Sequence, residues 1–202
     1  MQNADALRTK VPSPHNWKTT DDDEIARRRL RARAESLGVR NLDARYPIFS
    51  NFAVKSGSGL TYSVEIRSVS QRRFSCDCVD FRINGLGTCK HVEAVLSYLE
   101  ARHARLFKQA QQNGSPRINV VPDHVAGALR IENAKAKLPS SVGRLIDSEG
   151  RLVGDGAEES LEWLRRADIP DLRISQEVDT WCQARRREEE RKIALREYEQ
   201  MD

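Results

Sequence analysis

The sequence of 202 residues predicts an α+β protein in two parts. A small antiparallel sheet and a helix surround a Cys3His cluster, and a second small α+β domain and a long charged C-terminal helix follow. Apolar and polar residues alternate through 60–67, which indicates a half-buried strand, whereas apolar residues recur at helical spacing through 92–106. Three of the four cysteines and one histidine lie within 76–91, a concentration that needs a chemical cause.

The first part begins with a tail and a basic helix. Residues 1–20 contain two prolines and little periodicity, so we expect a flexible tail. Residues 21–45 start with four acidic residues and continue with an Arg-rich run, the charge order that the helix dipole favours. We therefore assign a basic N-terminal helix to them. Its apolar face is thin, so its arginines are either solvated or in contact with phosphates.

A sheet and a helix are expected in residues 46–112. The segments 48–54, 60–69 and 72–76 are rich in β-branched and aromatic residues, which predicts three short antiparallel strands. Residues 89–107 form the clearest helix, and its apolar stripe is expected to pack onto the sheet. An Asn-Gly-Ser-Pro segment then breaks the chain, and we place a domain boundary there.

The second part has its own α+β pattern. Residues 117–174 contain two strand-like segments, a hairpin with its turn at 148–150, an amphipathic helix over 157–167 and a short last strand. Residues 175–202 are helical in pattern and heavily charged, with few apolar positions. A long charged helix of this kind is solvated or connects to another part of a protein.

Composition and charge limit the function. No run approaches the length of about 18 apolar residues that a membrane span needs. The N-terminus also lacks the apolar stretch of a secretion signal. We therefore expect a cytoplasmic protein, with association with the nucleoid as an option. The net charge of +4 is uneven, because residues 1–115 are basic and the remainder is mildly acidic. A basic first half leaves a nucleic-acid partner open.

The cysteine cluster has the spacing of a metal site. Cys76 and Cys78 lie two residues apart on a predicted strand, so their side chains point to the same face. Cys89 and His91 lie where the chain enters the helix. Two side chains two residues apart can converge at that point, but not in the middle of a helix, where they point away from each other. Three thiolates and one imidazole favour Zn²⁺ and leave no position for water, which predicts one structural zinc ion. Cys182 is far away and receives no role.

These residues resemble the SWIM zinc finger, in which C-x-C is followed by C-x-H. The segment FSCDCVDFRINGLGTCKHVEAVLSYL is similar to the SWIM segment near the N-terminus of bacterial helicase-like ATPases of the switch/sucrose-non-fermenting family. The resemblance covers about residues 46–107, and the region containing SQEVDTW is similar to the part that leads into the ATPase core. It implies that the zinc ligands are Cys76, Cys78, Cys89 and His91.

One departure from those ATPases is decisive for activity. No G-x-x-x-x-G-K-[ST] phosphate-binding loop occurs in the sequence. The chain therefore resembles the non-catalytic N-terminal part of such an ATPase, as a fragment, a truncated product or a free-standing accessory protein. We expect it not to be an enzyme. A nuclease, or a redox protein using Cys76 and Cys78, is the alternative ranked last, because a redox pair usually has C-x-x-C spacing.

Basic and aromatic residues near the cluster form a candidate nucleic-acid surface. The candidates for phosphate contacts are Arg67, Arg72, Arg73, Arg82 and Lys90. The candidates for stacking on bases, unless they belong to the core, are Tyr62, Phe74 and Phe81.

The functional hypothesis follows from the zinc motif and its basic surroundings. It is a zinc-binding SWIM-type module that binds DNA or a protein and is accessory to a helicase-like DNA-dependent ATPase. A possible protein partner is the motor domain of such an ATPase. We expect neither a membrane partner nor a small-molecule substrate. The alternative is a protein–protein adaptor in which zinc is purely structural and no nucleic acid is bound.

Overall fold

The structure is a computed structural model that describes residues 18–133, 140–152 and 157–199. It divides into two compact units, with the division between Ser115 and Pro116, inside the Asn-Gly-Ser-Pro segment. The α+β class is confirmed, with a small antiparallel sheet, several helices and a long C-terminal helix. Among the described residues, no helix has both the length and the apolar content needed to span a membrane.

The first unit, over its described residues, combines four strands with four helices. In chain order these are α1 (Asp21–Ala34), β1 (Gly38–Asn41), β2 (Asn51–Lys55), β3 (Thr61–Ser68), β4 (Arg73–Cys76), α2 (Val79–Ile83), α3 (Lys90–Arg102) and α4 (Ala104–Asn113). The strands form one antiparallel sheet in the order β1-β2-β3-β4, so each strand pairs with the next one along the chain.

The core of this unit lies between the sheet and α3. Val64 and Ile66 of β3 are completely buried, and Phe52 of β2 lies opposite Val64 in the register. The predicted alternation is incomplete, because Glu65 is also completely buried and Leu60 is 59% exposed. The apolar stripe of α3 covers them with Val92, Val95 and Leu99, none of which is exposed. Each such side chain contributes about 1.5–3 kcal/mol by leaving water. This packing holds the start of α3 against the end of β4.

β1 is a strand that the sequence analysis missed. We predicted a basic helix over 21–45, but α1 ends at Ala34, and Gly38–Asn41 pairs antiparallel with β2. A four-residue segment with one apolar side chain, Val39, gives too little pattern to identify a strand. Its hydrogen bonds with β2 decide its conformation, so the sheet has four strands instead of three.

The helix predicted over 89–107 is divided at His103. This residue has φ −132° and ψ 37°, which ends α3 and lets α4 start in a new direction. Leu106, which we predicted on the packing stripe, is therefore 37% exposed, and Phe107 is buried instead. The prediction assumed one continuous helix, and a break in the helix changes which of the following residues face the core.

The second unit contains a three-stranded sheet with one parallel pair. Its described elements are β5 (Ile118–Asp123), β6 (Ala128–Glu132), α5 (Ser140–Gly143), α6 (Ala157–Arg166), β7 (Leu172–Ile174) and α7 (Glu177–Glu199). β5 lies in the middle, antiparallel to β6 and parallel to β7. The predicted hairpin around 148–150 is reduced to an isolated bridge between Ile146 and Leu152.

The two predicted end segments have different outcomes. The predicted tail, 1–20, lies outside the described residues except for 18–20, which directly precede α1. The predicted charged helix over 175–202 corresponds to α7, and its last residues are also outside the described part. Val178 at the start of α7 is fully buried, whereas residues 183–198 are exposed. The first turns of α7 therefore belong to the core of this unit.

Candidate metal centre

One strand end and two helix starts bring the four predicted ligands together. Cys76 is the last residue of β4, Cys78 is the N-cap of α2, Cys89 is the N-cap of α3, and His91 lies in the first turn of α3. Their ligand atoms all lie within 4.8 Å of one another. All four residues are buried, with Cys78 the most exposed at 5%. The four side chains therefore lie close enough to bind one metal ion.

The chain between the two ligand pairs differs from our expectation. We placed Cys76 and Cys78 on one strand and treated the ten following residues as a turning loop, but β4 ends at Cys76 and α2 begins directly after Cys78. Gly85 and Gly87 then adopt φ values of 68° and 64°, the left-handed region that glycine enters without strain. The chain thus turns back at the glycines, as the sequence indicates.

Helix N-termini surround the sulfurs with favourable charge. The backbone N–H of Phe81 donates to Cys78 Sγ at 3.4 Å, which makes this cysteine a side-chain cap of α2. Cys89 occupies the same position at α3, although without a cap hydrogen bond. Three thiolates and one imidazole around a dication carry a net charge of −1. The positive ends of two helix dipoles stabilise that charge.

The three sulfurs titrate as one group. The pKa of Cys78 lies far below the ordinary thiol value, because Cys76 and then Cys89 hydrogen-bond to its sulfur. The hydrogen bond with Cys78, a second one with Cys89 and burial raise the pKa of Cys76. For Cys89, the bond with Cys76 lowers the pKa, but the bond with Cys78 and burial outweigh it and raise the pKa to about 12. Because a metal is bound by thiolates, its binding at this site releases protons from the cysteines.

The imidazole of His91 presents its Nδ1 atom to the sulfurs. This atom lies 3.9 Å from the Sγ atoms of both Cys76 and Cys89. Tyr62 of β3 stacks on the ring, with centroids 4.1 Å and planes 21° apart, and so holds its orientation. In a tetrahedral zinc site the nitrogen and each sulfur are about 3.6 Å apart. These two distances are therefore within a few tenths of an ångström of those in a zinc site.

A buried carboxylate next to the ligands joins three parts of the first unit. Glu93 of α3 has a side chain only 4% exposed. It accepts hydrogen bonds from Arg29 of α1 at 2.9 Å, from Arg72 at 3.0 Å and from the buried Thr88 hydroxyl at 2.8 Å. Because Thr88 directly precedes Cys89 and Glu93 lies two residues after His91, this network positions the start of α3.

Two further ion pairs connect α1 with the same region. Arg28 donates to both carboxylate oxygens of Asp80, at 2.7 Å and 3.1 Å, and Asp80 lies two residues after Cys78. Glu35, which directly follows α1, pairs with Lys90, the residue between the last two ligands. Arg28 and Arg29 of α1 are thus neither simply solvated nor left for phosphates. The positions of Asp80 and Glu93, each two residues after a ligand, are visible in the sequence. The arginines that pair with them are not, because they are distant in the sequence.

The five basic candidates for nucleic-acid contacts have different surroundings. Arg67, Arg72 and Lys90 each form an ion pair with a carboxylate of the first unit. Arg73 is half-buried. Arg82 is exposed and forms no ion pair with any other described residue. Most of this set is therefore already engaged within the protein, which we did not foresee.

The three aromatic candidates for base stacking belong to the core. Phe74 is 5% exposed, and Tyr62 and Phe81 are partly buried against the same cluster. Tyr62 also uses a ring face on His91. The three rings therefore pack in or against the core of the first unit.

None of the other candidates within the described residues belongs to the Cys3His group. His103 caps α3, and His124 lies in the turn after β5. Cys182 is half-buried on α7 against the core of the second unit, where burial raises the pKa of its thiol. His15 lies outside the described residues.

Comparison of the chain with protein-family models, curated proteins and solved structures gives no match. The fold and the site therefore define the class: an α+β protein with a buried Cys3His group that can hold one metal ion, which fits a zinc-binding role.

Proposed function

We propose that the buried Cys3His group holds one zinc ion in a structural role. Thiolate and imidazole ligands select zinc over magnesium or calcium. Four protein ligands complete a tetrahedral coordination shell, so no position remains for water or a substrate. A sheet of four short strands buries little apolar area, and the free energy of zinc binding supplements it. The observation that carries this proposal is the convergence of the four buried ligand atoms within 4.8 Å.

The module is of SWIM type and is accessory to a helicase-like DNA-dependent ATPase. Support comes from the resemblance of the C-x-C and C-x-H pairs, because those four residues are the ones that converge. The chain acts by binding and not by catalysis, since a closed four-ligand site offers no open coordination position. Zinc would hold the end of β4 and the starts of α2 and α3 in one arrangement, so that the surrounding surface is presented rigidly.

DNA is the partner that the charge distribution favours. Residues 1–115 carry a net positive charge, whereas the remainder is net negative, and a net positive charge attracts phosphates. A protein–protein adaptor is the second candidate. It is favoured by the ion pairs of Arg67, Arg72 and Lys90, because a cation already paired with a carboxylate contributes less to phosphate binding.

The salt dependence of DNA binding separates these two candidates. We expect the zinc-loaded chain to bind a labelled DNA duplex, measured by fluorescence anisotropy. With three phosphate contacts, the affinity should fall about 40-fold between roughly 50 and 200 mM salt, because counterion release sets the slope. The control repeats the titration with the polyanion heparin, which shares the charge but not the helical geometry. Absence of DNA binding at the lowest salt concentration would contradict a DNA partner and favour the adaptor.

A further inference from the structure

Cations without a carboxylate partner concentrate in one place of the first unit. Among its described residues, 18–115, the lysines and arginines that form no ion pair are Arg40, Lys55, Arg82, Arg102, Arg105 and Lys108. Half of these lie within 102–108, at the end of α3 and on α4. The other three are far apart in the sequence and lie on β1, β2 and α2.

α4 has two distinct faces. Phe107 and Ala110 are buried on one side, at 7% and 5% exposure. Arg105 and Lys108 lie three residues apart, so they are neighbours on the helix surface, and both are exposed on the other side. The exposed residues that follow them on α4 are mostly amides. The helix therefore presents cations and hydrogen-bond donors to the solvent.

Carboxylates are absent from this part of the sequence. No Asp or Glu occurs in 101–122, although the chain contains 30 of them. The nearest acidic residue before this segment is the exposed Glu100 of α3. Several other cations of the unit do face a carboxylate, as Arg29 and Arg72 both face Glu93. The cations of 102–108 are thus available for an anion supplied by another molecule.

We propose that Arg102, Arg105 and Lys108 form a surface that binds the phosphate backbone of double-stranded DNA. Arginine donates in pairs to phosphate oxygens, lysine adds a point charge, and neighbouring amides supply further donors. The centre of a protein–protein interface is usually apolar and poor in charge, whereas this face offers only the partly exposed Leu106 as a large apolar side chain. The chemistry of the face therefore favours sequence-independent DNA contact over a protein partner.

This inference rests on the proposed DNA-binding function. It locates DNA binding on Arg102, Arg105 and Lys108, called the α4 surface below, instead of near Arg67, Arg72 and Lys90. The test compares two triple variants of the full zinc-loaded chain. One is R102Q/R105Q/K108Q, and the matched control is R40Q/R45Q/K55Q, which removes the same net charge from other exposed cations of the first unit. Glutamine removes the charge but remains polar and has good helix propensity. Zinc content and circular dichroism verify that both variants are folded.

We expect the α4 variant to bind a mixed-sequence DNA duplex at least about tenfold more weakly than the unmodified chain near 100 mM salt. Its salt slope should fall by about 2–3, the loss expected for three phosphate contacts. The control variant should stay within about threefold of the unmodified chain and keep its slope.

Each other result has a distinct meaning. Equal losses of DNA affinity in both variants would show that only the net charge matters, and they would contradict a specific α4 surface. An α4 variant that binds as well as the unmodified chain overturns it too, while leaving DNA binding intact. If the unmodified chain binds no duplex, the DNA-binding function fails first, and the α4 surface fails with it.

Discussion

The variant Cys89→Ala is expected to lose its zinc and to unfold the first unit. Cys89 is completely buried at the N-cap of α3, and alanine supplies no donor atom in its place. Loss of a supporting residue lowers metal affinity about 10- to 100-fold, and loss of a direct ligand should exceed that. Because the free energy of zinc binding contributes directly to folding, the sheet and α3 should lose their cooperative packing as well.

Native mass spectrometry and circular dichroism measure both effects. The unmodified chain should carry one zinc ion, and Cys89→Ala should carry none. Cys182→Ala is the matched control, because Cys182 is half-buried on α7 in the second unit and should leave the zinc content unchanged. An unmodified chain purified without chelators that contains no metal would falsify the zinc site. Full zinc content in Cys89→Ala would also contradict it.

Glu93→Ala should destabilise the first unit by about 2–3 kcal/mol and weaken zinc binding about 10- to 100-fold. The substitution removes the common acceptor of Arg29, Arg72 and Thr88, and it leaves the buried Thr88 hydroxyl without its partner. Breaking a fully buried ion pair costs about 3–5 kcal/mol. The two arginines are 44% and 41% exposed and can regain water, so the loss should be smaller.

Glu35→Gln is the control for this prediction, because it breaks a more exposed ion pair of the same α1 segment. The hydrogen bond from Lys90 lowers the pKa of Glu35, so the pair stabilises the fold at neutral pH and loses its effect as the pH falls through that lowered pKa. At neutral pH, Glu35→Gln should cost less than about 1 kcal/mol. Urea denaturation and competition with a zinc chelator measure the two properties. Equal stabilities of the two variants would show that Glu93 is no more important than a surface carboxylate.

The four predicted ligands do converge, and the pattern that predicts this convergence is local. Two pairs of ligands, each spaced by two residues, meet at a strand end and at helix starts, and such short spacings constrain side-chain directions strongly. The turn at Gly85 and Gly87 is local as well. The α+β class follows from periodicity, which is visible over eight or more residues.

The errors have a common physical cause, which is that the deciding partner is distant in the sequence. β1 depends on hydrogen bonds to β2, and the division at His103 depends on how α4 packs Phe107. The basic residues near the metal centre were expected on a binding surface. Arg72 instead reaches Glu93, which lies 21 residues away, and Arg29 reaches the same carboxylate over 64 residues.

The sequence by itself determined the α+β class, the four residues that can hold a metal ion and the positive charge of the first half. Those properties depend on residue types and on short spacings. Only the tertiary structure decided which cations are neutralised and which remain free, because an ion pair requires two side chains to meet in space. Among the described residues of the first unit, Arg102, Arg105 and Lys108 are three of the six cations without an ion pair, and our proposal places the DNA surface at the end of α3 and on α4.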